Sequence, residues 1–248
     1  MENGAHVLNN ISVCLATYNG AEHLREQVDS IVAQLLPGDE LLVADDASKD
    51  ETLSILRGYE PVLSLVATDR AGGVVANFSR LLVAATGDIV VFSDQDDVWL
   101  PGRLERIRWE LLSADMVQLD GVIVDADLHP SGNTISSVIG VRSGFCQNLW
   151  RNSFVGCCLA FRRRTFLDAW PLPRYIHMHD WYLGLIATLF GKITRVPEVY
   201  LLYRRHGNNA STTGEKTKFS RMHQLVNRAG MLLAIFSFAL RRLCSRRP

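Results

Sequence analysis

In the run Gly87-Asp88-Ile89-Val90-Val91-Phe92-Ser93-Asp94-Gln95-Asp96-Asp97-Val98-Trp99, an apolar segment ends in three carboxylates, Asp94, Asp96 and Asp97. Ile89 to Phe92 reads as a buried strand that delivers those groups to its exit. Like charges held that close repel one another and resist desolvation. A divalent cation offsets the repulsion, and oxygen ligands suit Mg²⁺ or Mn²⁺. The competing reading is a solvated acidic turn.

Other segments present polar groups in the same way. Ile11 to Ala16 reads as a strand ended by Thr17-Tyr18-Asn19-Gly20, and Glu40 to Ala44 as a second ended by Asp45-Asp46. Leu24, Val28, Ile31, Val32 and Leu35 recur at helical spacing between them, stopped by Pro37-Gly38. Ser48 with Glu51 predicts a capping box for a short helix. Val62 to Ala67 reads as a third strand, Gly72-Gly73 as a turn, and the stretch around Asn77, Leu81 and Leu82 as a helix. Strands alternating with helices imply an α/β protein with a mostly parallel sheet flanked by helices. Ligands bind such sheets at the carboxyl ends of the strands, where Thr17, Asp45, Asp46, Asp94 and Asp96 all fall.

Further along, Leu104, Ile107 and Leu111 mark an amphipathic helix, and Met116 to Val124 a strand. Residues 125–152 are rich in Gly, Ser and Asn and read as irregular structure, the natural place for a variable substrate surface. Phe154 to Phe161 reads as a strand, Asp180 to Phe190 as a helix and Val199 to Tyr203 as a last short strand.

The 248 residues suit one large domain with an appendage. Formal net charge is zero, but residues 216–248 carry eight of the 26 Lys and Arg and none of the 26 Asp and Glu. The body is therefore acidic and the tail basic. The five cysteines show no CxxC spacing, which argues against a disulfide framework or a zinc site. Met1 to Asn10 lacks a basic region followed by a long apolar stretch, so no signal peptide is expected, which favours the cytoplasm.

Four segments together resemble glycosyltransferase family 2, the inverting nucleotide-sugar enzymes of the GT-A fold. They are Ala16-Thr17-Tyr18-Asn19-Gly20, Val43-Ala44-Asp45-Asp46-Ala47-Ser48, Phe92 to Trp99, and His179-Asp180-Trp181. Tyr203-Arg204-Arg205-His206-Gly207-Asn208-Asn209 is similar to a C-terminal signature of the family, and bacterial rhamnosyltransferase-like members are the most similar subgroup. The resemblance spans roughly residues 11–210.

It implies a role for each matching residue. Thr17, Tyr18 and Asn19 lie against the nucleotide, and Asp46, with Asp45 nearby, accepts hydrogen bonds from base or ribose. Helix capping is the alternative for both aspartates. Asn77 adds a contact or caps a helix. Asp94-Gln95-Asp96 is the DxD motif, with Asp96 the direct ligand of Mn²⁺ or Mg²⁺ and Asp94 on ribose or metal-bound water. His206 is a further metal ligand or a surface histidine, and Arg204 and Arg205 grip phosphate or form a solvated turn. Asp180 is the general base that takes the acceptor hydroxyl's proton, kept ionised by the helix dipole, with plain N-capping as the alternative. Trp181 belongs to the acceptor side, and Gly156 allows close approach by the acceptor or serves packing. Trp99 reads as core. The Gln-x-x-Arg-Trp motif of processive members is absent, since Gln224 and Arg228 have the wrong spacing, so one sugar is added per encounter.

The reading divides the chain into a catalytic domain, residues 1–215, and a tail, residues 216–248. The domain's nucleotide half is about residues 1–100 and its acceptor half about 101–215. Gly230 to Leu240 is apolar on nearly all sides and too short to cross a bilayer. With its flanking arginines it reads as an in-plane helix on an anionic membrane surface, or as a helix docked on the body. The expected partners are a nucleotide-sugar, a glycan or lipid-linked acceptor and that membrane surface, with no nucleic acid. The expected location is cytoplasmic, on the inner membrane's cytoplasmic face. A sugar nucleotidyltransferase would need an early Gly-rich loop, which Thr17 to Ala21 does not supply. A non-catalytic nucleotide-sugar-binding protein would not need both Asp180 and the intact DxD.

Overall fold

The computed structural model describes residues 10–205 and 220–245. The chain opens with β1 (Ile11–Thr17), α1 (Leu24–Val32), β2 (Glu40–Asp45), α2 (Thr52–Arg57), β3 (Ser64–Ala67), α3 (Val74–Ala84) and β4 (Ile89–Ser93). β1 pairs in parallel with β2 and β4, and β2 with β3. Alternate residues of these apolar runs serve two cores, because side chains on a strand point to opposite faces. Ile11, Val13 and Leu15 join Leu24, Val28 and Ile31 of α1 on one side. Cys14, Val90 and Phe92 join Phe78, Leu81 and Leu82 of α3 on the other. Both faces are thus covered, as a parallel sheet requires.

The second half comprises β5 (Val98–Trp99), α4 (Arg103–Glu110), β6 (Met116–Val124), β7 (Pro130–Thr134), α5 (Ile135–Ile139), α6 (Phe145–Trp150), β8 (Leu159–Arg162), α7 (Arg163–Phe166), α8 (His179–Phe190), β9 (Ile193–Arg204) and α9 (Arg221–Ser245). The sheet has nine strands, eight of them in the order β3-β2-β1-β4-β8-β6-β9-β5, with β7 on β6. β8 runs antiparallel between β4 and β6, while β9 is parallel to β6. The expected α/β architecture is present: a parallel first half extended by a mixed second half.

Several local expectations are corrected. Residues 125–152 are ordered as β7, α5 and α6. The polar strand β7 has no apolar alternation to announce it, and α5 is held by a reciprocal cap between Thr134 and Ser137. The stretch 154–161 is interrupted by a 3₁₀ turn at Gly156–Cys158 before β8. β3 starts two residues late, and β9 runs twelve residues. The Ser48/Glu51 capping box does not form, because the Ser48 hydroxyl bonds Asp45 and the Asn19 amide instead.

Candidate functional site

A pocket of about 630 Å³ opens at the carboxyl ends of β1, β2 and β4 and is closed on its far side by the start of α8. Thr17, Tyr18, Asp46, Asn77, Asp94, Asp96, Gly156 and Asp180 line it, so eight of the expected site residues meet there.

The loops around it are tied by polar contacts. Thr17 Oγ1 donates to Asp45 Oδ2 at 2.9 Å and Ser48 N donates to Asp45 Oδ1 at 2.8 Å. Asp45 is fully buried and does not line the pocket, so it organises the exits of β1 and β2 from behind. Asn19 has the same kind of role: it accepts from Lys49 N at 2.8 Å, its own amide donates to Ser48, and it too is outside the lining. Asp46 does reach the pocket. Its carboxylate accepts the consecutive amides of Ala71, Gly72 and Gly73. Burial pushes its pKa up, but those three amides and Arg70 outweigh it and hold the group below the usual range. Gly72 and Gly73 adopt φ of 91° and 120°, which favours glycine at both positions. Asn77 is not a cap: inside α3, its Nδ2 donates to Ala44 O at 2.7 Å, and its buried Oδ1 has no hydrogen-bond partner.

At the exit of β4, Asp94 and Asp96 are half-buried and Asp97 is fully buried. Burial pushes Asp94 up to about 7, helped by the charges of Asp96 and Asp180. Asp97 is raised by burial and by Asp96 and Asp94; one of its oxygens accepts from Arg204 N at 3.1 Å and the other has no partner. Crowded carboxylates with an unmet oxygen fit a hard divalent cation. Cys157 also lies within reach of Asp94 and Asp97. Its thiol is pushed far up by the hydrogen bond with Cys158 and by burial. A second acidic group, Asp125, Asp127 and His129, is exposed, and Asp125 Oδ1 is occupied by the amides of Asp127 and His129.

Arg204 is buried and does not form a solvated turn: its Nε donates to Asp96 O at 2.9 Å and it pairs with Glu26, fastening the acidic loop to β9 and α1. It is therefore engaged by protein rather than free for phosphate. His206 lies outside the described residues.

Asp180 sits in the first turn of α8. Its Oδ2 accepts from Gly156 N at 3.1 Å and its Oδ1 from Trp181 N at 2.6 Å. The helix N-terminus does not hold its pKa low, although the group is still ionised at neutral pH. Burial outweighs those amides and pushes the pKa up to about 6. Gly156 packs closely, since a Cβ there would stand 3.1 Å from His179 Nε2. Trp181 is buried, donates from Nε1 to Asn148 O at 2.8 Å, and does not line the pocket.

His179 was assigned no role by sequence reasoning. It lines the pocket at 3% exposure, stacked on Phe78 with ring centroids 4.0 Å apart. Neither ring nitrogen has a hydrogen-bond partner, and burial pushes its pKa down to about 3. It is a neutral imidazole with one donor and one acceptor to offer. Its only sequence signal is adjacency to Asp180. Arg70 and Lys49, also missed, place basic side chains at the same pocket.

The glycosyl transferase family 2 profile matches residues 12–170, more than half of the chain. The chain is similar to UDP-Glc:alpha-D-GlcNAc-diphosphoundecaprenol beta-1,3-glucosyltransferase WfgD of Escherichia coli, 22% identical over 84% of this chain and 81% of that one. It is similar to dTDP-rhamnosyl transferase RfbG of Shigella flexneri, 26% identical over 86% and 80%. Among solved structures, S. aureus TarS 1-349 in complex with UDP-GlcNAc superposes with a TM-score of 0.64 at 20% identity, covering 92% of this chain and 73% of that one. With its carboxylates gathered at the strand ends of a GT-A sheet, the chain belongs to glycosyltransferase family 2 and is a transferase that draws on a nucleotide-sugar donor.

Proposed function

We propose that the protein transfers a single sugar, with dTDP-rhamnose the best candidate donor, to a lipid-linked or cell-surface glycan with inversion at the anomeric carbon. The observation that carries this reading is the Asp180 carboxylate, buried at the wall of a pocket that Asp94 and Asp96 also line. A base poised near pH 6 is ionised at neutral pH and still basic enough to accept a proton as the transition state forms. The amides of Gly156 and Trp181 aim that carboxylate.

The acceptor oxygen attacks the anomeric carbon from the side opposite the diphosphate. The C–O bond to phosphate breaks, its electron pair leaves with the nucleoside diphosphate, and the acceptor proton passes to Asp180. Asp96, with Asp94 beside it, would hold a Mg²⁺ or Mn²⁺ ion, which would neutralise the charge of the leaving group. Tyr18 offers a flat, half-exposed surface for the base, and Asp46, Lys49 and Arg70 line the same pocket, the two cations favouring the anionic diphosphate. The rhamnosyl donor is favoured by the similarity to RfbG, and a polyprenyl-diphosphate acceptor by the similarity to WfgD. Such an acceptor places the reaction on the cytoplasmic face of the inner membrane, with this chain as a peripheral protein.

The test is mass spectrometry of products from a panel of nucleotide-sugars and polyprenyl-diphosphate glycans. A product one deoxyhexose heavier, formed only from the dTDP donor, is expected. Turnover with UDP-sugars alone would discard rhamnose, and a nucleotide-independent product would discard the reading.

A further inference from the structure

The tail helix α9 has two apolar faces. Met231, Ala234, Ile235 and Phe238 are buried against the body, where Phe238 meets Phe190 at 5.4 Å and Arg242 donates to Thr165 O. Met222, Leu225, Val226, Leu232, Leu233, Phe236, Leu240 and Leu243 are exposed, Leu233 at 58% and Phe236 at 62%. At about 3.6 residues per turn these exposed positions fall on one side, opposite the buried set, and run the length of the helix. An exposed apolar stripe of that extent marks an interaction surface.

The charges choose its partner. Arg221, Arg228, Arg241 and Arg242 lie along α9, which contains no Asp or Glu. Arg221 and Arg228 fall along one edge of the exposed stripe, whereas Arg241 and Arg242 turn toward the body; a second copy laid against this face would meet like charge at that edge with no acid on either helix, whereas anionic lipid supplies the missing charge. Two exposed aromatics flank the helix: the Trp150 ring lies 4.7 Å under the Arg228 guanidinium, and the Tyr175 backbone lies beside Gly230. Amphipathic rings beside a basic apolar stripe suit the headgroup boundary of a bilayer. Among the described residues no helix is long and apolar enough to cross a membrane, so the helix would lie in the plane.

We propose that the outward face of α9 docks the protein on an anionic membrane surface while its inward face stays fixed to α8. The helix is thus both docked on the body and open to lipid. Arg228 also bonds the backbone of Leu149 and Trp150 in α6, whose Asn148 carbonyl receives Trp181, the neighbour of Asp180. These contacts link α9 through α6 to the helix that carries Asp180. Delivery of a lipid-linked acceptor to Asp180 rests on the transferase activity proposed for the pocket, but membrane binding itself does not.

The experiment is flotation of the full chain with vesicles of phosphatidylcholine alone or mixed with phosphatidylglycerol. Binding to the mixed vesicles only, weakened by salt, is expected. Leu233→Glu with Phe236→Glu should lose about tenfold or more in vesicle partitioning. Because both side chains face outward, its thermal midpoint and its nucleoside-diphosphate shift should match those of the parent. Failure of the parent to bind mixed vesicles, or equal binding by the double variant, would overturn the proposal. Unchanged vesicle binding with loss of a dimer in light scattering would reassign the face to a second copy. Loss of the nucleotide shift in the parent, with vesicle binding intact, would count against the transferase reading alone.

Discussion

Gln95 holds Tyr18 through both ends of its amide: Tyr18 N donates to Gln95 Oε1 at 2.7 Å, and Gln95 Nε2 donates to Tyr18 O at 3.0 Å. The residue between Asp94 and Asp96 thus joins the carboxylate loop to the exit of β1. Gly20 makes room for it, since a Cβ there would stand 2.3 Å from Gln95 Oε1. Gln95→Ala removes both bonds and is expected to raise the donor KM about tenfold with a smaller effect on kcat. Gly20→Ala should act the same way by displacing the amide. Steady-state kinetics decide it, and an unchanged KM in both variants would mean that the two loops are held independently.

Asp180→Asn keeps the shape of the base and removes its ability to accept a proton. Turnover should fall about 10²–10⁴-fold while the nucleoside-diphosphate thermal shift persists. In the parent, kcat/KM should rise with pH through about 6, where Asp180 ionises, and the residual activity of the variant should lack that limb. Stability follows with a definite sign. The folded pKa lies above the ordinary carboxylate value, so this group's contribution is fully present below the ordinary value and is lost as pH rises through about 6. At neutral pH the variant should therefore be more stable than the parent, by on the order of 1 kcal/mol, with the gap closing in acid. A variant less stable at pH 7 than at pH 4, relative to the parent, would contradict that sign.

His179→Phe preserves the stack on Phe78 and removes the two unpartnered nitrogens. If the imidazole contacts substrate, the variant should lose about tenfold or more in kcat/KM while its thermal midpoint holds or rises, because buried polar atoms without partners are destabilising. His179 stays neutral above its depressed pKa of about 3, so its removal should leave the pH limb near 6 in place. Full activity in this variant would make His179 a packing residue.

Divalent cation should stabilise the protein through the carboxylates of the β4 exit. At a hundredfold excess over its dissociation constant, Mn²⁺ or Mg²⁺ should raise the thermal midpoint by about 5–10 °C, and chelator should reverse it. Asp96→Ala should abolish the shift. Cys157→Ser should retain it if the carboxylates alone hold the ion, and loss of the shift in that variant would bring sulfur into the site.

What the chain determines locally could be read without a structure. The apolar runs of β1, β2 and β4 and the polar groups at their ends are adjacent in sequence, and strand–helix alternation leaves those ends on one edge. Thr17, Asp46, Asp94, Asp96 and Asp180 were therefore legible, and the pocket gathers them. Which of two neighbouring polar residues turns inward was not legible. Asp45 and Asp46 leave the same strand, but Thr17 and Ser48 claim the first and the amides of residues 71–73 claim the second. Asn19, Trp181 and Arg204 were drawn from the pocket by partners 29 to 178 residues away. The environment of His179 is also tertiary, since Phe78, Phe92 and Gly156 converge on it from three separate elements. The polar strand β7 and the two faces of α9 complete the pattern. Periodicity reports burial on one side of an element, whereas only the packed neighbours decide which side is covered and which is left for a partner.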